Sequence, residues 1–443
     1  MSAKEYNSFW EEIQSKFHVE NLGYTPKGYP NPGIYYQLTE IRTHEDCREC
    51  GHNTYIHEYK SPRIVCGGTY MGVPVYYKVV NIRYGCSVCP ATFMKEYDCL
   101  PFWRTVTSDT EDYIIWTLGS KTFSMLAEET GLCVQSISNR AASYAREERE
   151  VMLSLRYRLL SMDEVYNGRD KDNSHIIYWV LNDISTPWKS NNIMITNTGR
   201  TEKNVIEWLK KLKHPESVEA VCVDMWQPYV SAVEAVLPRA VLVIDRFHVI
   251  KAAEESVNAV RRSLQLPKKV KDAMRKDASL FLCSIDKLSK AEWRKLEGYL
   301  KMDEKLEHTY YLAQELLEFY HIRGYDEALE YLCAWESHVH RSGIELPVYE
   351  TVCNWLPYIL NYFRFRITNG RTEGRNNLIR QIDRMGYHYG IECFQGCLYA
   401  HDRKQEYVKW QRYLRKKALG GSRSYRSKKA SILEHIQSFN QAA

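Results

Sequence analysis

The chain has 443 residues, 44% of them hydrophobic and 26% charged, with a net charge of +5 and a pI near 8.4. That length asks for about two to four domains, and the balanced composition argues against disorder except near the ends. No run of about 18 apolar residues could span a bilayer, and residues 1–17 lack the pattern of a signal peptide. Thirteen cysteines, an odd number, then read as thiols and metal ligands of a cytoplasmic protein, not as a disulfide framework.

Residues 1–40 are a lead-in that becomes turn-rich toward Asn31-Pro32-Gly33. Residues 41–104 hold the pairs Cys47-x-x-Cys50 and Cys86-x-x-Cys89, with β-rich sequence between them. Each pair can form a knuckle that places two thiolates on adjacent turns, so four sulfurs can enclose a structural Zn2+. The 35 residues between Cys50 and Cys86 exceed the usual spacing, which leaves Cys66, His52 and His57 as alternative ligands. Unligated buried cysteines are the plain alternative.

Residues 105–152 turn helical. Residues 122–131 read as a helix ending at Gly131, and a second helix follows through Arg140. Small Ala127, Gly131 at the turn, and Val134 and Ile137 facing inward fit a helix-turn-helix domain. Such a unit would present Gln135, Ser136, Ser138, Asn139 and Arg140 to DNA. A plain helical hairpin fits the same pattern.

From 153 to 250 strand and helix patterns alternate. Residues 159–166, 176–181 and 193–195 read as strands, and 201–212 as a helix with Thr201 as its N-cap. Residues 220–224 and 240–244 are short apolar runs of the kind found in buried parallel strands. Residues 251–365 change to long helical stretches, an insertion whose aromatics (Trp335, Trp355, Tyr358, Tyr362, Phe363) belong to a core rather than to a base-stacking surface. Residues 366–402 return to the α/β domain. Residues 403–443 are a basic tail, with eleven Lys/Arg against Glu406 between Arg403 and Lys429. Such a block suits phosphate contact, or is simply a solvated tail.

Three acids stand at telling places. Asp163 lies in the first expected strand, Asp224 closes an apolar run, and Glu373 opens a helix after the turn Thr368-Asn369-Gly370. If the strands of Asp163 and Asp224 are neighbours, their carboxylates converge near one edge of the sheet. Glu164 must point to the opposite face, so only one of the two adjacent acids can join. Oxygen-only ligands suit Mg2+ or Mn2+, and two such ions per active site can activate a water or 3′-hydroxyl and stabilise the leaving oxygen in phosphoryl transfer on nucleic acid. Strand-end acids are also ordinary surface residues, so position alone leaves that chemistry open.

The segment Val243-Ile244-Asp245-Arg246-Phe247-His248-Val249-Ile250-Lys251 resembles a signature of bacterial insertion-sequence transposases of the Asp-Asp-Glu class, in particular the ISL-three family. Asn369-Gly370-Arg371-Thr372-Glu373-Gly374-Arg375-Asn376-Asn377 is similar to that family's final acidic motif. Val223-Asp224-Met225 with Tyr229 resembles the middle one and Met162-Asp163-Glu164 the first. The polar stretch 167–173 departs from the family's pattern.

The resemblance implies a multidomain α/β protein: a ribonuclease-H-like catalytic domain with a helical insertion, preceded by a zinc-binding module and a helix-turn-helix domain. Asp163, Asp224 and Glu373 would be its catalytic metal ligands. Asn376 and Arg380, on the face of Glu373, would orient a carboxylate or touch phosphate. Asp245 and His248 would play a supporting role, with local capping and packing as the alternative. The implied activity is cleavage at the terminal inverted repeats of an insertion sequence and joining of the ends to target DNA. The implied partners are double-stranded DNA and further copies of the chain, as a homodimer or higher assembly, and no membrane. A DNA-binding regulator without catalysis and a nuclease without strand transfer are the competing readings.

Overall fold

The computed structural model describes residues 3–102, 104–169, 175–185, 191–386 and 388–418. The chain divides into two compact units, Met1–Arg146 with Met385–Ala443, and Glu147–Arg384. It is a mixed α/β architecture of more than one domain.

The first unit begins with α1 (Ala3–Lys16) and β1 (Phe17–Tyr24), then β2 (Ile34–Glu40), β3 (Thr54–Tyr59), β4 (Arg63–Tyr70), β5 (Val73–Val80), β6 (Ile82–Cys86) and β7 (Thr92–Met94). These strands form two sheets, one in the order β1-β2-β5-β4 and a smaller antiparallel one in the order β3-β6-β7. Ile13, Phe17, Leu38, Val65 and Val79 make an apolar cluster under the larger sheet. Next come α2 (Ser108–Thr117), α3 (Phe123–Thr130) and α4 (Val134–Ser154), within which the boundary between the units falls. Helices α2 and α3 pack on β4, and α3 also on β5. Helix α3 is capped at one end by the Thr122 hydroxyl, which accepts from the Met125 N–H, and at the other by Gly131 in the left-handed region at φ 72°. At Gly131 the chain presses on β5: an added Cβ would sit 2.6 Å from Pro74, and the Tyr76 hydroxyl donates to its carbonyl at 3.0 Å. The cysteine-bearing sheets and the helical pair therefore belong to one unit.

The second unit holds β8 (Leu159–Arg169), β9 (His175–Asp183), β10 (Asn191–Thr196), α5 (Glu202–Leu209), β11 (Ala220–Val223), α6 (Gln227–Val236) and β12 (Val241–Ile244). Its sheet runs β10-β9-β8-β11-β12. β8 pairs antiparallel with β9 and parallel with β11, and β11 is parallel to β12. All four residues of β11 are buried, as expected of a parallel strand covered on both faces. The expected N-cap of α5 is present: the Thr201 hydroxyl accepts from the Asn204 N–H.

Between β12 and the last helix of this unit, every regular element among the described residues is helical. These are α7 (Arg246–Ser263), α8 (Lys268–Lys276), α9 (Lys290–Leu300), α10 (Glu304–Phe319), α11 (Tyr325–Ser342), α12 (Pro347–Leu360) and the short α13 (Tyr362–Phe365). Helix α7 is the hub, packed against α10 and α12, while α12 also meets β12. One apolar core runs without a break from Leu153 through the sheet to Ile367. Trp335, Tyr362 and Phe363 are buried in it, with Trp355 and Tyr358 packed against it. The Trp335 indole N–H, which burial would otherwise strand, donates to the Leu312 carbonyl at 2.9 Å. Helix α14 (Gly370–Met385) closes this unit, and α15 (Ile391–Ala418) follows in the first. The opening of the basic segment is thus helical through residue 418; residues 419–443 lie outside the described residues, as do 170–174 in the polar stretch after Asp163.

Candidate active site and metal-binding residues

The parallel register of β8 and β11 sets Ser161 opposite Cys222, so Asp163 and Asp224, each two residues further on, stand level on neighbouring segments, Asp163 within β8 and Asp224 just past the end of β11. Side chains two apart share a face, and the two carboxylates lie close enough to act on each other. Burial, and then the charge of Asp224, pushes the Asp163 carboxyl up to about 6. Two donors oppose the rise: Asn376 Nδ2 gives a hydrogen bond to Asp163 Oδ2 at 2.6 Å, and the Glu164 N–H one to Oδ1 at 2.7 Å. His248 Nε2 meets Asp224 Oδ1 at 2.9 Å. Burial depresses this imidazole, but the bond to Asp224 and the surrounding acids outweigh it, and its pKa is raised.

Asp245 is buried at the start of α7 and reaches away from its own helix, accepting the Asn369 N–H at 3.1 Å. Burial raises the pKa of its carboxyl. Asn369 in turn donates from Nδ2 toward the Met162 carbonyl at 3.4 Å and toward Asp224 Oδ1 at 3.5 Å. It ties β8, the end of β11 and α7 to the start of α14. The structure thus brings Asp245 and His248 into contact with Asn369 and Asp224 at the acidic centre.

Helix α14 runs alongside β8, and a series of polar contacts fixes its register. Thr372 and Ser161 share a hydroxyl–hydroxyl bond of 2.9 Å, Asn376 bonds Asp163, Arg380 Nε donates to the Tyr166 carbonyl at 3.1 Å, and Asn167 Nδ2 donates to the buried Asp383. One helical turn advances 5.4 Å and two strand residues about 6.7 Å, so successive turns of α14 find successive same-face positions of β8. Glu373 lies in the first turn of α14, immediately after Thr372. Its side chain is outside the described residues.

Glu164 points to the opposite face, as alternation requires. There it accepts the Tyr229 hydroxyl at 2.5 Å and Arg200 Nη1 at 2.8 Å. Sequence reasoning passed over Asn369, Thr372 and Arg200. Asn369 and Thr372 lay inside the motif around Glu373, but nothing local marks a side chain whose partners lie some two hundred residues away.

In the first unit, Cys47, Cys50, Cys86 and Cys89 bring their sulfurs within 4.8 Å of one another. Cys47–Cys89 are 3.6 Å apart, Cys50–Cys86 3.4 Å and Cys50–Cys89 3.6 Å. A tetrahedral ion with metal–sulfur bonds of about 2.3 Å needs sulfurs roughly 3.8 Å apart, so this donor set fits one. The N–H groups of Cys89 and Val88 point at Cys86 Sγ and hold its thiol at about 6, toward the thiolate a metal requires. The three alternative ligands, Cys66, His52 and His57, are not in this cluster: Cys66 Sγ donates to the Thr130 carbonyl at 2.8 Å, and His52 Nδ1 bonds the Cys50 carbonyl.

Of the residues expected to face DNA, Gln135 and Asn139 are exposed and bonded to each other at 2.8 Å. Ser136, Ser138 and Arg140 are half-buried. Arg140 is ion-paired with Glu111 at 2.9 Å, and Ser138 lies 3.2 Å from Cys393. Ile137 is buried as expected, but Val134 is not: it stands 47% exposed as the first residue of α4.

The fold and this centre define an α/β protein with a carboxylate pair where a short parallel strand ends beside its longer neighbour, buttressed by a polar helix. Residues 160–396 match the model of a family described as Transposase, the ISL3 group of DDE transposases. That span is more than half of the chain, and the chain belongs to this family. The transposase for insertion sequence element IS1001 of Bordetella parapertussis is 26% identical over 181 residues, 39% of this chain and 45% of the relative. The chain thus spans less than half the length of that curated relative. Among solved structures, the Drosophila P element transposase strand transfer complex aligns over 66% of this chain and 91% of that chain, at 11% identity and a TM-score of 0.34, a likeness too loose to decide the fold. Among the described residues no helix is long and apolar enough to cross a membrane.

Proposed function

We propose that this chain is a DNA transposase that cuts at the terminal inverted repeats of its own insertion sequence and joins the ends to target DNA. The observation that carries the reading is the level pairing of Asp163 and Asp224 on adjacent strands, with α14, whose first turn carries Glu373, fastened beside them. The second unit is then the ribonuclease-H-like catalytic domain, and Asp163, Asp224 and Glu373 are its catalytic carboxylates. The oxygen-only donors, and the burial and Asp224 charge that raise Asp163, fit Mg2+ or Mn2+, two per site, held by these three residues. When bound, such ions supply a nucleophilic oxygen and stabilise the leaving one.

The chain's own groups prepare that site. Asn376 fixes one oxygen of Asp163 and leaves the carboxylate accepting rather than donating. His248 holds Asp224 in one orientation and spreads its charge. Asp245 and Asn369 set the position of α14, and Arg380 locks that helix to the β8 backbone. In the first unit, the four cysteines hold a structural Zn2+, and the exposed Gln135 and Asn139 on α4, with Ser136, Ser138 and Arg140 around them, face the DNA ends as part of a helix-turn-helix. The basic segment after Arg403 adds salt-dependent phosphate affinity. Two ends are held together by a homodimer or larger assembly.

The test is incubation of the purified chain with DNA carrying the element's ends and Mn2+, wild type against Asp224→Ala. Cleavage by wild type and a loss of at least a thousandfold in the variant, with end binding retained, is expected. Binding by both without cleavage by either overturns the catalytic reading in favour of a regulator. Strand transfer with pre-cut ends separates a transposase from a plain nuclease.

A further inference from the structure

Arg200 is held with unusual precision for a surface cation. Its Nη1 lies 2.9 and 2.8 Å from the two carboxylate oxygens of Glu164. Glu164 is itself fixed by the Tyr229 hydroxyl at 2.5 Å, and its side chain is only 16% exposed. The guanidinium centre lies 4.4 Å from the Trp226 ring centroid, and the Trp226 indole N–H points at the Arg200 carbonyl at 3.5 Å. Exposed ion pairs gain little because two long side chains must be immobilised. Here the carboxylate is already immobile and the indole face restrains the guanidinium plane, so the arginine is held with little further loss of freedom.

The whole guanidinium is not spent on this. Its Arg200 side chain is 46% exposed, and the bonds to Glu164 use Nη1 alone, which leaves Nη2 and Nε as donors on the same rigid fork. Trp226 lies two residues beyond Asp224, and the charge of Asp224 is among those that raise the Arg200 pKa, after Glu164 and Tyr229. Asp163 and Asp224 together repel a polyanion. A DNA strand approaching them needs a fixed cation that neutralises one backbone charge beside the carboxylate pair.

We propose that Arg200 is a phosphate subsite of the active centre: its fork grips one phosphodiester of the DNA strand next to the bond being cut, while Glu164 and Trp226 act as positioning residues that aim it. This rests on the reading of the chain as a DNA-cutting enzyme and adds the group that places the substrate strand.

The experiment scans single, uncharged methylphosphonates along the strand around the cleavage position, with Arg200→Ala, Arg200→Lys, Trp226→Ala and Trp226→Phe beside wild type. Binding is read in chelator and cleavage in Mn2+, with thermal melts confirming the fold. Wild-type binding is expected to fall about tenfold or more at one position. Arg200→Ala should already be weaker by a similar factor, insensitive at that one position and normally sensitive elsewhere. Arg200→Lys should recover part of the affinity, and Trp226→Phe more than Trp226→Ala, because a flat face restores the alignment. If Arg200→Ala loses the same factor as wild type at every phosphate, or binds and cuts as wild type does, the subsite is wrong while the transposase reading stands. If wild type itself neither binds the ends nor cuts them, the failure is that of the broader reading.

Discussion

Asp163 shows most plainly how a residue's environment serves the site at the expense of the fold. Burial and the nearby Asp224 both resist its ionisation and raise its carboxyl to about 6, from a usual value near 4. For an acid with a raised folded pKa, the unfolded chain releases its proton first as pH rises. The destabilisation is therefore absent below pH 4, grows between 4 and 6, and is complete above, where two units amount to about 3 kcal/mol. In chelator, Asp163→Asn should accordingly be more stable than wild type at pH 8 by about 1–3 kcal/mol, with the gap closing toward pH 4. Urea denaturation at the two pH values measures it, and a variant no more stable than wild type at pH 8 would mean the carboxylates are not crowded together. Asn376 should behave in the opposite sense. Asn376→Ala removes the donor from Asp163 Oδ2 and should lower the pH-independent cleavage rate about tenfold to a hundredfold, read from kcat with little change in end binding.

Elements are placed here by close contacts that a side chain would spoil. In the first unit α15 crosses α4 where Gly396 approaches Ala141, and an added Cβ would lie 2.3 Å from the Ala141 carbonyl oxygen. Backbone cannot step aside as a flexible side chain can, so Gly396→Ala should cost about 1–3 kcal/mol despite alanine's better helix propensity. Gly298, in the last turn of α9, has no atom within 4 Å of a Cβ. Gly298→Ala should therefore stabilise by up to about 1 kcal/mol. Thermal melts of the pair check both signs; equal effects would remove the close helix crossing. Helix α14 follows the same logic with polar contacts instead of space. Its anchors at Thr372, Asn376, Arg380 and Asp383 each find β8, so its register along the strand is fixed at four points.

At the scale of the whole molecule, the two units have separate cores and different supports. The second rests on one apolar core that joins sheet and helices. In the first, β3, β6 and β7 form a small sheet, and a three-stranded sheet of this size has little hydrophobic core of its own. Metal bound by Cys47, Cys50, Cys86 and Cys89 would then be folding energy for that sheet. Purified protein should contain about one equivalent of zinc, and a strong chelator should remove amide-exchange protection chiefly from β3, β6 and β7 while β8, β11 and β12 keep theirs. Less than half an equivalent, or protection unchanged on chelation, would count against a structural ion.

Much of this was legible in the residue order, for identifiable reasons. The short apolar runs at 220–224 and 240–244, bounded by polar residues, read as buried parallel strands, and they hold β11 and β12. Thr201 before a periodic segment marks an N-cap, and it caps α5. Paired cysteines announce a sulfur cluster because two knuckles supply four ligands, yet the sequence left Cys66, His52 and His57 in contention until the fold left them out of the cluster. Val134 shows the limit of helical periodicity: spacing assigns a face, but only the neighbours decide whether the face is covered. The acids at 163, 224 and 373 could be named from their local patterns, one inside a strand-like run, one closing an apolar run and one opening a helix. What local pattern could not supply was their company. The level register of β8 and β11, the link from Asp245 to Asn369 across 124 residues, and the Arg200–Glu164–Trp226 assembly all join segments remote in the chain. Short-range chemistry fixes the kind of each element, since it depends on neighbours one to four residues away. Which carboxylate, amide and guanidinium meet at one strand end is settled only when the sheet closes and the helices pack against it.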